Sequence, residues 1–242
     1  MIANIKRDLP TSYLTTEFIN TIELPTWLPA KSAADQSAIL ILGLLNNYIR
    51  TGDNDSKLII DHLAKGIMLM QKGDADNYPY GAFLSSENLW HAWGNNQAYA
   101  LLKAGQNFDN QEYIDSALLE IDNFYIKMLQ NGFAEAFWIY KTDGVLVEIE
   151  RNKYPQIAYG LRPMVWAAAE AYRYSNQEKY LTLAKNLGSW LTGNNDANQA
   201  IYNPSNGICF DGITGPNEVN KNSGAESTIE SLLILLEMEK IK

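Results

Sequence analysis

The chain has 242 residues, a formal net charge of −9 and a pI near 4.8, with 46% hydrophobic and 19% charged residues. This composition is ordinary for a globular protein. The acidic balance and the absence of a Lys/Arg cluster argue against binding nucleic acid through phosphate neutralisation. Cys209 is the single cysteine, so an intrachain disulfide is excluded and a reducing compartment fits.

Targeting and membrane signals are weak. Residues 1–8 have no apolar stretch of signal-peptide length, and the longest apolar run, 38–45, is far short of a membrane span. We therefore expect a soluble, cytoplasmic protein without membrane partners. No Pro/Gly/Ser-rich linker divides the chain, which predicts one domain over 1–242 with an irregular N-terminal segment at 1–31.

Hydrophobic periodicity predicts about seven helices. They cover 34–50, 57–72, 88–105, 111–130, 157–175, 177–192 and 224–240. Short links join the first helix to the second, the third to the fourth and the fifth to the sixth, which predicts antiparallel pairs. The long connections are 73–87, 131–156 and 193–223. If the pairs pack side by side, the long connections emerge at one end, where ordered loops usually carry function.

The predicted helices are of two kinds. The even-numbered helices have one apolar stripe, whereas 36–48 and 157–171 are apolar almost all round. This alternation indicates an inner layer of buried helices lined by an outer layer of amphipathic ones. Residues 145–150 alternate in hydrophobicity and predict a short β-hairpin with 137–140.

This organisation resembles the α/α toroids of the six-hairpin glycosidase-like superfamily. The resemblance implies an all-α fold and a carbohydrate site in a funnel formed by the loops that precede the inner helices. Six hairpins need twelve helices, and this chain provides three and a half hairpins. We therefore expect a toroid or partial toroid that is open, smaller, part of a larger architecture, or completed by a partner. Exposed edge helices would then favour a homo-oligomer.

The last long connection carries the carboxylates Asp211, Glu218 and Glu226. Glycoside hydrolysis needs two carboxyl groups across the scissile bond, one acting as an acid. The motif Asn217-Glu218-Val219 resembles the C-terminal signature of family-nine endoglucanases, which implies Glu218 as general acid, although the family's Asp-Ala-Gly-Asp base motif and upstream His-x-Arg motif are missing. The alternatives are a solvated loop carboxylate for Glu218 and turn hydrogen bonds for Asp211.

Glu226 has a structural interpretation as well. The segment Ser223-Gly224-Ala225-Glu226 fits a capping box, in which the serine hydroxyl and the glutamate carboxylate bond reciprocal backbone groups at a helix start. A helix start on this side of the molecule would face the funnel, so a catalytic role and a capping role are compatible.

A second group of residues has the composition of a sugar platform, because aromatic faces stack on sugars while amides bond hydroxyls. It consists of Tyr80, Trp90, His91, Trp93 and Asn95. Trp90 and Trp93 are three residues apart, on one face of the predicted helix. The alternatives are that both indoles belong to the core and that His91 is a hydrogen-bonded structural histidine.

The middle connection and the helix after it add Trp138, Tyr159 and Arg162 as candidate binding residues. Arg162 lies in an almost apolar helix, and a buried guanidinium must be paired. It either clamps a loop carboxylate or binds an anionic group of a substrate.

The small number of histidines and cysteines limits the kinds of metal or catalytic site that the chain can form. His62 and His91 are the only histidines, so a zinc site of the usual type is disfavoured and no cofactor is expected. The sugar 2-epimerase branch of the toroids uses paired histidines. His62 falls on the polar face of an outer helix, so the sequence disfavours this branch. The sequence therefore predicts a glycoside hydrolase, or alternatively a non-catalytic helical-hairpin module that binds a glycan or a protein through an aromatic rim.

Overall fold

The computed structural model describes residues 5, 9 and 14–241. In this part of the chain, a row of inner helices has its helix starts at one end. The inner row contains α1 (Ala34–Thr51), α3 (Gln97–Phe108), α6 (Ala158–Ser175) and α8 (Ala225–Lys240). The outer layer contains α2 (Asn54–Leu69), α4 (Gln111–Leu119), α5 (Tyr125–Asn131) and α7 (Glu178–Gly188). A π-helical turn, Glu120–Phe124, joins α4 to α5, and a 3₁₀ turn, Ser189–Thr192, follows α7.

Packing between the helices defines the two layers. Along the inner row α1 packs on α3, α3 on α6 and α6 on α8, while α1–α2, α3–α4 and α6–α7 form the hairpins. The short links are built by capping: the Asp53 carboxylate accepts the N–H groups of Asp55 and Ser56, and Asn110 caps α4 in the same way. The predicted pairing of helices is confirmed, with α1 and α8 at the two ends of the row.

Small antiparallel sheets fill the long connections. The strands are β1 (Thr16–Ile19), β2 (Ile22–Pro25), β3 (Gln71–Lys72), β4 (Ala82–Phe83), β5 (Leu89–His91), β6 (Ala136–Thr142), β7 (Val145–Asn152), β8 (Gly212–Gly215) and β9 (Glu218–Asn220). They form the sheets β1–β2, β3–β4, β5–β6–β7 and β8–β9. The hairpin predicted from 137–140 and 145–150 is present as β6–β7, but the fold is mostly helical rather than all-α.

Two expectations about local structure differ from the fold. The third helix begins at Gln97 rather than at 88, because residues 89–91 pair as a strand with 136–138. Within the segment expected to be irregular, β1 and β2 form a hairpin. The N-terminal residues on which the signal-peptide expectation depends, 1–4 and 6–8, lie outside the described residues. Within the described ranges, none of the helices combines the length and the apolarity needed to cross a membrane.

Candidate active site

The starts of the four inner helices meet at one end of the row. We call this group of side chains the inner-helix rim; it comprises Asp35, His91, Trp93, Tyr159, Arg162, Glu226 and Glu230. Asp35 belongs to the first turn of α1, and its Oδ2 lies 3.5 Å from His91 Nε2. Gly94 adopts φ +66°, and a Cβ placed there would lie 2.7 Å from the Tyr159 hydroxyl. The segment before α3 therefore touches the start of α1 on one side and the start of α6 on the other.

The charged groups of the rim affect the phenol of Tyr159. Burial raises the pKa of the Tyr159 phenol; Arg162 opposes that effect, and the negative charges of Glu230, Glu226 and Asp35 add to it. Asp35 comes from α1 and the two glutamates from α8, so negative charges from the two ends of the inner row raise the pKa of one hydroxyl group.

Arg162 is buried and ties three inner helices together. Its Nε donates to Glu230, and its Nη1 lies 3.5 Å from Asn96 Oδ1 at the start of α3. The guanidinium also faces the rings of Tyr159 at 5.7 Å and Trp166 at 4.6 Å. The predicted clamp is therefore the better interpretation, but its carboxylate comes from helix α8 rather than from a loop. The alternative, an anion-binding Arg162, is disfavoured because Glu230 occupies the guanidinium.

A cleft of about 490 Å³ opens beside Tyr159, between the starts of α6 and α8. It is lined by Pro155, Ile157, Ala158, Tyr159, Asp211, Gly212, Thr214, Asn220, Gly224, Ala225, Glu226 and Ser227. The lining mixes an apolar floor with hydroxyl, amide and carboxylate groups, and the volume falls in the range of small-molecule sites. Glu226 is exposed at this cleft.

Asp211 lines the cleft but serves the start of α8. Its Oδ1 accepts the Gly224 N–H at 2.8 Å and the Ser227 hydroxyl at 2.7 Å. The expected capping box at 223–226 is thus wrong by one residue: Gly224 is the N-cap, and the capping oxygens come from Asp211 and Ser227. This leaves the Glu226 carboxylate outside the cap.

Glu218 is exposed on β9 and is not among the residues that line the cleft. Its carboxylate lies over its own hairpin, where a Cβ added at Gly215 would be 2.9 Å from Glu218 Oε2. A general-acid role for Glu218 stays a prediction from the family-nine resemblance, and the position of the side chain does not favour it.

The two tryptophans of the predicted platform lie in different environments. Trp90 is fully buried, stacked on Phe137 at 5.0 Å and edge-on to Phe124, so it belongs to the core and cannot form a sugar platform. The reason is the strand: consecutive residues of β5 point to opposite faces. Trp93 lies beyond the strand, is 40% exposed and packs its ring 5.4 Å from His91.

The remaining aromatic candidates lie on the sheets. Trp138 pairs with Leu89 in the register, so it lies on the same face of the sheet as His91. Tyr80 lies in the turn between β3 and β4 and packs with Tyr78 and Lys127 rather than with rim residues. Trp138 thus shares a sheet face with one rim residue, whereas Tyr80 packs elsewhere.

Several buried polar atoms at the rim have no hydrogen-bond partner within the described residues. They are Asp35 Oδ1, His91 Nδ1 and both side-chain amide atoms of Asn95 and Gln97. Buried groups of this kind are rare in folded proteins and require an explanation. Asp35, Gln97 and Glu230 were not among the predicted site residues. An acidic residue in the first turn of a nearly apolar inner helix was the signal that could have identified Asp35.

The second histidine is remote from this group. His62 lies on the outer helix α2, where its Nδ1 is 3.0 Å from the Leu58 carbonyl oxygen. In the described part of the chain, no cluster of three His, Cys, Asp or Glu side chains is placed to hold a metal ion. The rim therefore offers one imidazole together with several carboxylates.

No protein-family model matches the chain, and no curated protein matches it in sequence. Solved structures do match. A family 76 α-mannanase from Bacteroides thetaiotaomicron is 18% identical with a TM-score of 0.62, covering 98% of this chain and 61% of that one. A D-mannose isomerase is 15% identical with a TM-score of 0.62, covering 90% and 58%.

An inactive variant of an α-1,6-mannanase from Salegentibacter sp. HEL1_6, with two consecutive aspartates changed to asparagine, is described in complex with α-1,6-mannotriose. It is 18% identical with a TM-score of 0.57, covering 86% of this chain and 54% of that one. The chain has the α/α-toroid fold. The predicted resemblance to the six-hairpin glycosidase-like superfamily is confirmed at the level of fold, and the chain spans about three fifths of the length of these toroids.

Proposed function

We propose that this toroid binds a saccharide at the inner-helix rim and hydrolyses a glycosidic bond there. The observation that carries the proposal is the cleft beside Tyr159 in which Glu226 is exposed, together with Asp35 and His91, whose segment meets the Tyr159 hydroxyl at Gly94. Structural neighbours that act on mannans or interconvert sugars support a carbohydrate ligand. The proposal includes the cytoplasmic location predicted from the sequence.

The chemistry needs one carboxyl group that protonates the leaving oxygen and another that activates water. We assign Glu226 as the candidate acid, because it is exposed at the cleft and free of the helix cap. We assign Asp35 as the candidate base, with His91 orienting its carboxylate. Tyr159 and Trp93 then supply aromatic faces for the sugar.

The test is turnover of α-1,6-mannotriose and of a panel of aryl glycosides, followed by NMR of the products. We expect the wild-type protein to release a reducing end. The rate of this release should fall at least about 100-fold in Glu226→Gln and in Asp35→Asn, as is typical when an acid or base is removed. Glu218→Gln is the matched control, because it neutralises a carboxylate of the same region outside the cleft. Unchanged turnover in Glu226→Gln and loss of turnover in Glu218→Gln would overturn the assignment.

A second candidate function is glycan binding without hydrolysis. One observation favours it: the mannanase variant that lost two consecutive aspartates is inactive yet is described with its oligosaccharide. This chain contains no two consecutive aspartates anywhere in its sequence. Binding of an oligosaccharide by the wild-type protein, with no turnover of any member of the panel, would select this function over the first.

A further inference from the structure

Gln97 is the first residue of α3 and is completely buried, and Asn95, two residues earlier, is 1% exposed. Neither amide oxygen nor amide nitrogen of either side chain has a hydrogen-bond partner within the described residues. An amide both donates and accepts, so these two side chains leave several donor and acceptor positions open. A folded protein satisfies such groups with ordered water or with a ligand.

The contacts of neighbouring residues locate these amides beneath the rim. His91 lies beside Asp35 of α1, Gly94 meets the Tyr159 hydroxyl, and Asn96 faces Arg162 of α6. Residues 91–97 therefore run between the starts of α1 and α6. Two further unpartnered atoms, Asp35 Oδ1 and His91 Nδ1, belong to the same region. Six of the twelve unpartnered buried side-chain atoms of the described residues thus belong to this region, next to the starts of the inner helices at which the proposed function places a saccharide.

We propose that Gln97 is a specificity-determining residue that, together with Asn95, binds hydroxyl groups of the saccharide. The inference rests on the saccharide-binding part of the proposed function. A sugar hydroxyl donates one hydrogen bond and accepts others, so it matches an amide that has both kinds of atom open. Water can fill these positions in the free protein until the saccharide displaces it or uses it as a bridge, and both arrangements make the affinity depend on Gln97.

A purely structural role predicts a different response to substitution. Replacing a buried amide by an apolar side chain of similar shape removes the desolvated polar group, which is neutral or stabilising for the fold. Gln97→Met makes this replacement. If Gln97 only fills space, the variant keeps both its Tm and its affinity. If Gln97 binds hydroxyls, the variant keeps or raises its Tm while its affinity falls.

The experiment is calorimetric titration of the full chain with α-1,6-mannotriose, for wild type, Gln97→Met and Gln106→Met. Gln106 is the matched control, because it lies on the same helix at the opposite end and its Nε2 is also unpartnered among the described residues. We expect at least a tenfold weaker Kd for Gln97→Met, a Kd within twofold of wild type for Gln106→Met, and no fall in Tm for Gln97→Met.

NMR of the wild-type protein gives a second readout that needs no variant. The side-chain NH₂ signals of Gln97 and Asn95 should shift on addition of α-1,6-mannotriose, while that of Gln106 should not. Equal affinity in Gln97→Met, or unmoved Gln97 signals in a wild-type protein that binds the sugar, overturns this inference alone. A wild-type protein that binds neither this probe nor any aryl glycoside of the panel overturns the proposed function and the inference with it.

Discussion

The two ends of the inner helices differ in how they treat buried charged groups. At the far end, ion pairs join α3, α6 and α8: Lys103 Nζ lies 3.1 Å from Glu170, and Arg173 bridges Glu170 at 3.2 Å and Glu237 at 2.5 Å. At the rim, one buried ion pair, Arg162–Glu230, coexists with amide, imidazole and carboxylate atoms that have no partner among the described residues.

This difference favours the rim as the functional end of the same helices. The far end pairs its charges with one another, which holds the row together. The rim leaves several buried hydrogen-bonding positions open among the described residues. Local violations of the rule that buried polar groups are paired are expected at functional sites.

The largest effect is expected from breaking the network at the far end. Arg173→Met removes the guanidinium that the buried carboxylates of Glu170 and Glu237 share and leaves them, among the described residues, only the lysines Lys103 and Lys240. The free energy of unfolding should therefore fall by about 2–3 kcal/mol. Urea unfolding measures the change. Arg151→Met is the control: it removes an arginine from the more exposed pair with Glu148, and it should cost less than about 1 kcal/mol. Equal losses in the two variants would contradict the comparison.

Glu120 tests how a buried carboxyl group with few hydrogen-bond partners affects the free energy of unfolding at a position away from the rim. It is fully buried in the π-helical turn, where burial raises its pKa to about 8 against the opposing effect of the Phe83 N–H, which donates to Oε1 at 2.9 Å. Above the unfolded pKa of 4.5 the unfolded chain loses this proton while the folded chain keeps it. Stability should therefore fall as the pH rises from about 4.5 to 8, by up to about 1.4 kcal/mol per pH unit.

The measurement is urea unfolding at pH 5.5 and pH 7.5. Glu120→Gln should remove this part of the pH dependence, whereas Glu112→Gln, at an exposed position of α4, should keep it. A pH dependence that survives in Glu120→Gln would show that other groups cause it.

The helical row was predictable because its signal is local. The apolar periodicity of 34–50, 157–175 and 224–240 gave those helices to within about one residue at each end. The start of α3 was not predictable in this way. Trp90 and His91 are strand residues because they pair with Phe137 and Ala136, more than 40 positions later, and local sequence carries no record of that pairing.

Part of the local arrangement at the rim was predictable. The long connections do precede the inner helices, as the short and long links indicated, and the unusual setting of Arg162 indicated a buried carboxylate partner. Identifying that partner as Glu230 requires the packing of α6 on α8. Asp211 illustrates a contact that the sequence could not show, since this loop carboxylate caps the start of α8 through partners 13 and 16 residues away, while its catalytic role stays a prediction.

Gly94 offers a smaller test of the rim. Gly94→Ala places a methyl group 2.7 Å from the Tyr159 hydroxyl and forces alanine to φ +66°. We expect a loss of about 1–2 kcal/mol in stability, together with weaker binding of α-1,6-mannotriose because Tyr159 must move. Gly144→Ala is the matched control, with φ +81° and nothing within 4 Å of the added carbon. It should show the backbone cost while its affinity stays unchanged.

Substitution of Asp211 should change stability the least of these variants. It also tests whether the carboxylates that line the cleft have different tasks, one capping α8 and another binding the ligand. Asp211→Asn keeps an oxygen that accepts from the Gly224 N–H and the Ser227 hydroxyl, so unfolding should change by only about 0.5 kcal/mol, whereas Asp211→Ala removes the cap and should cost about 1–2 kcal/mol. If Asp211 were the acid or the base of the reaction, Asp211→Asn would lower turnover by about 10²–10⁴-fold despite its intact cap. We expect turnover near the wild-type value in Asp211→Asn and its loss in Glu226→Gln. This result would show that two carboxylates of one cleft have separate tasks, because one holds the start of α8 and the other faces the ligand.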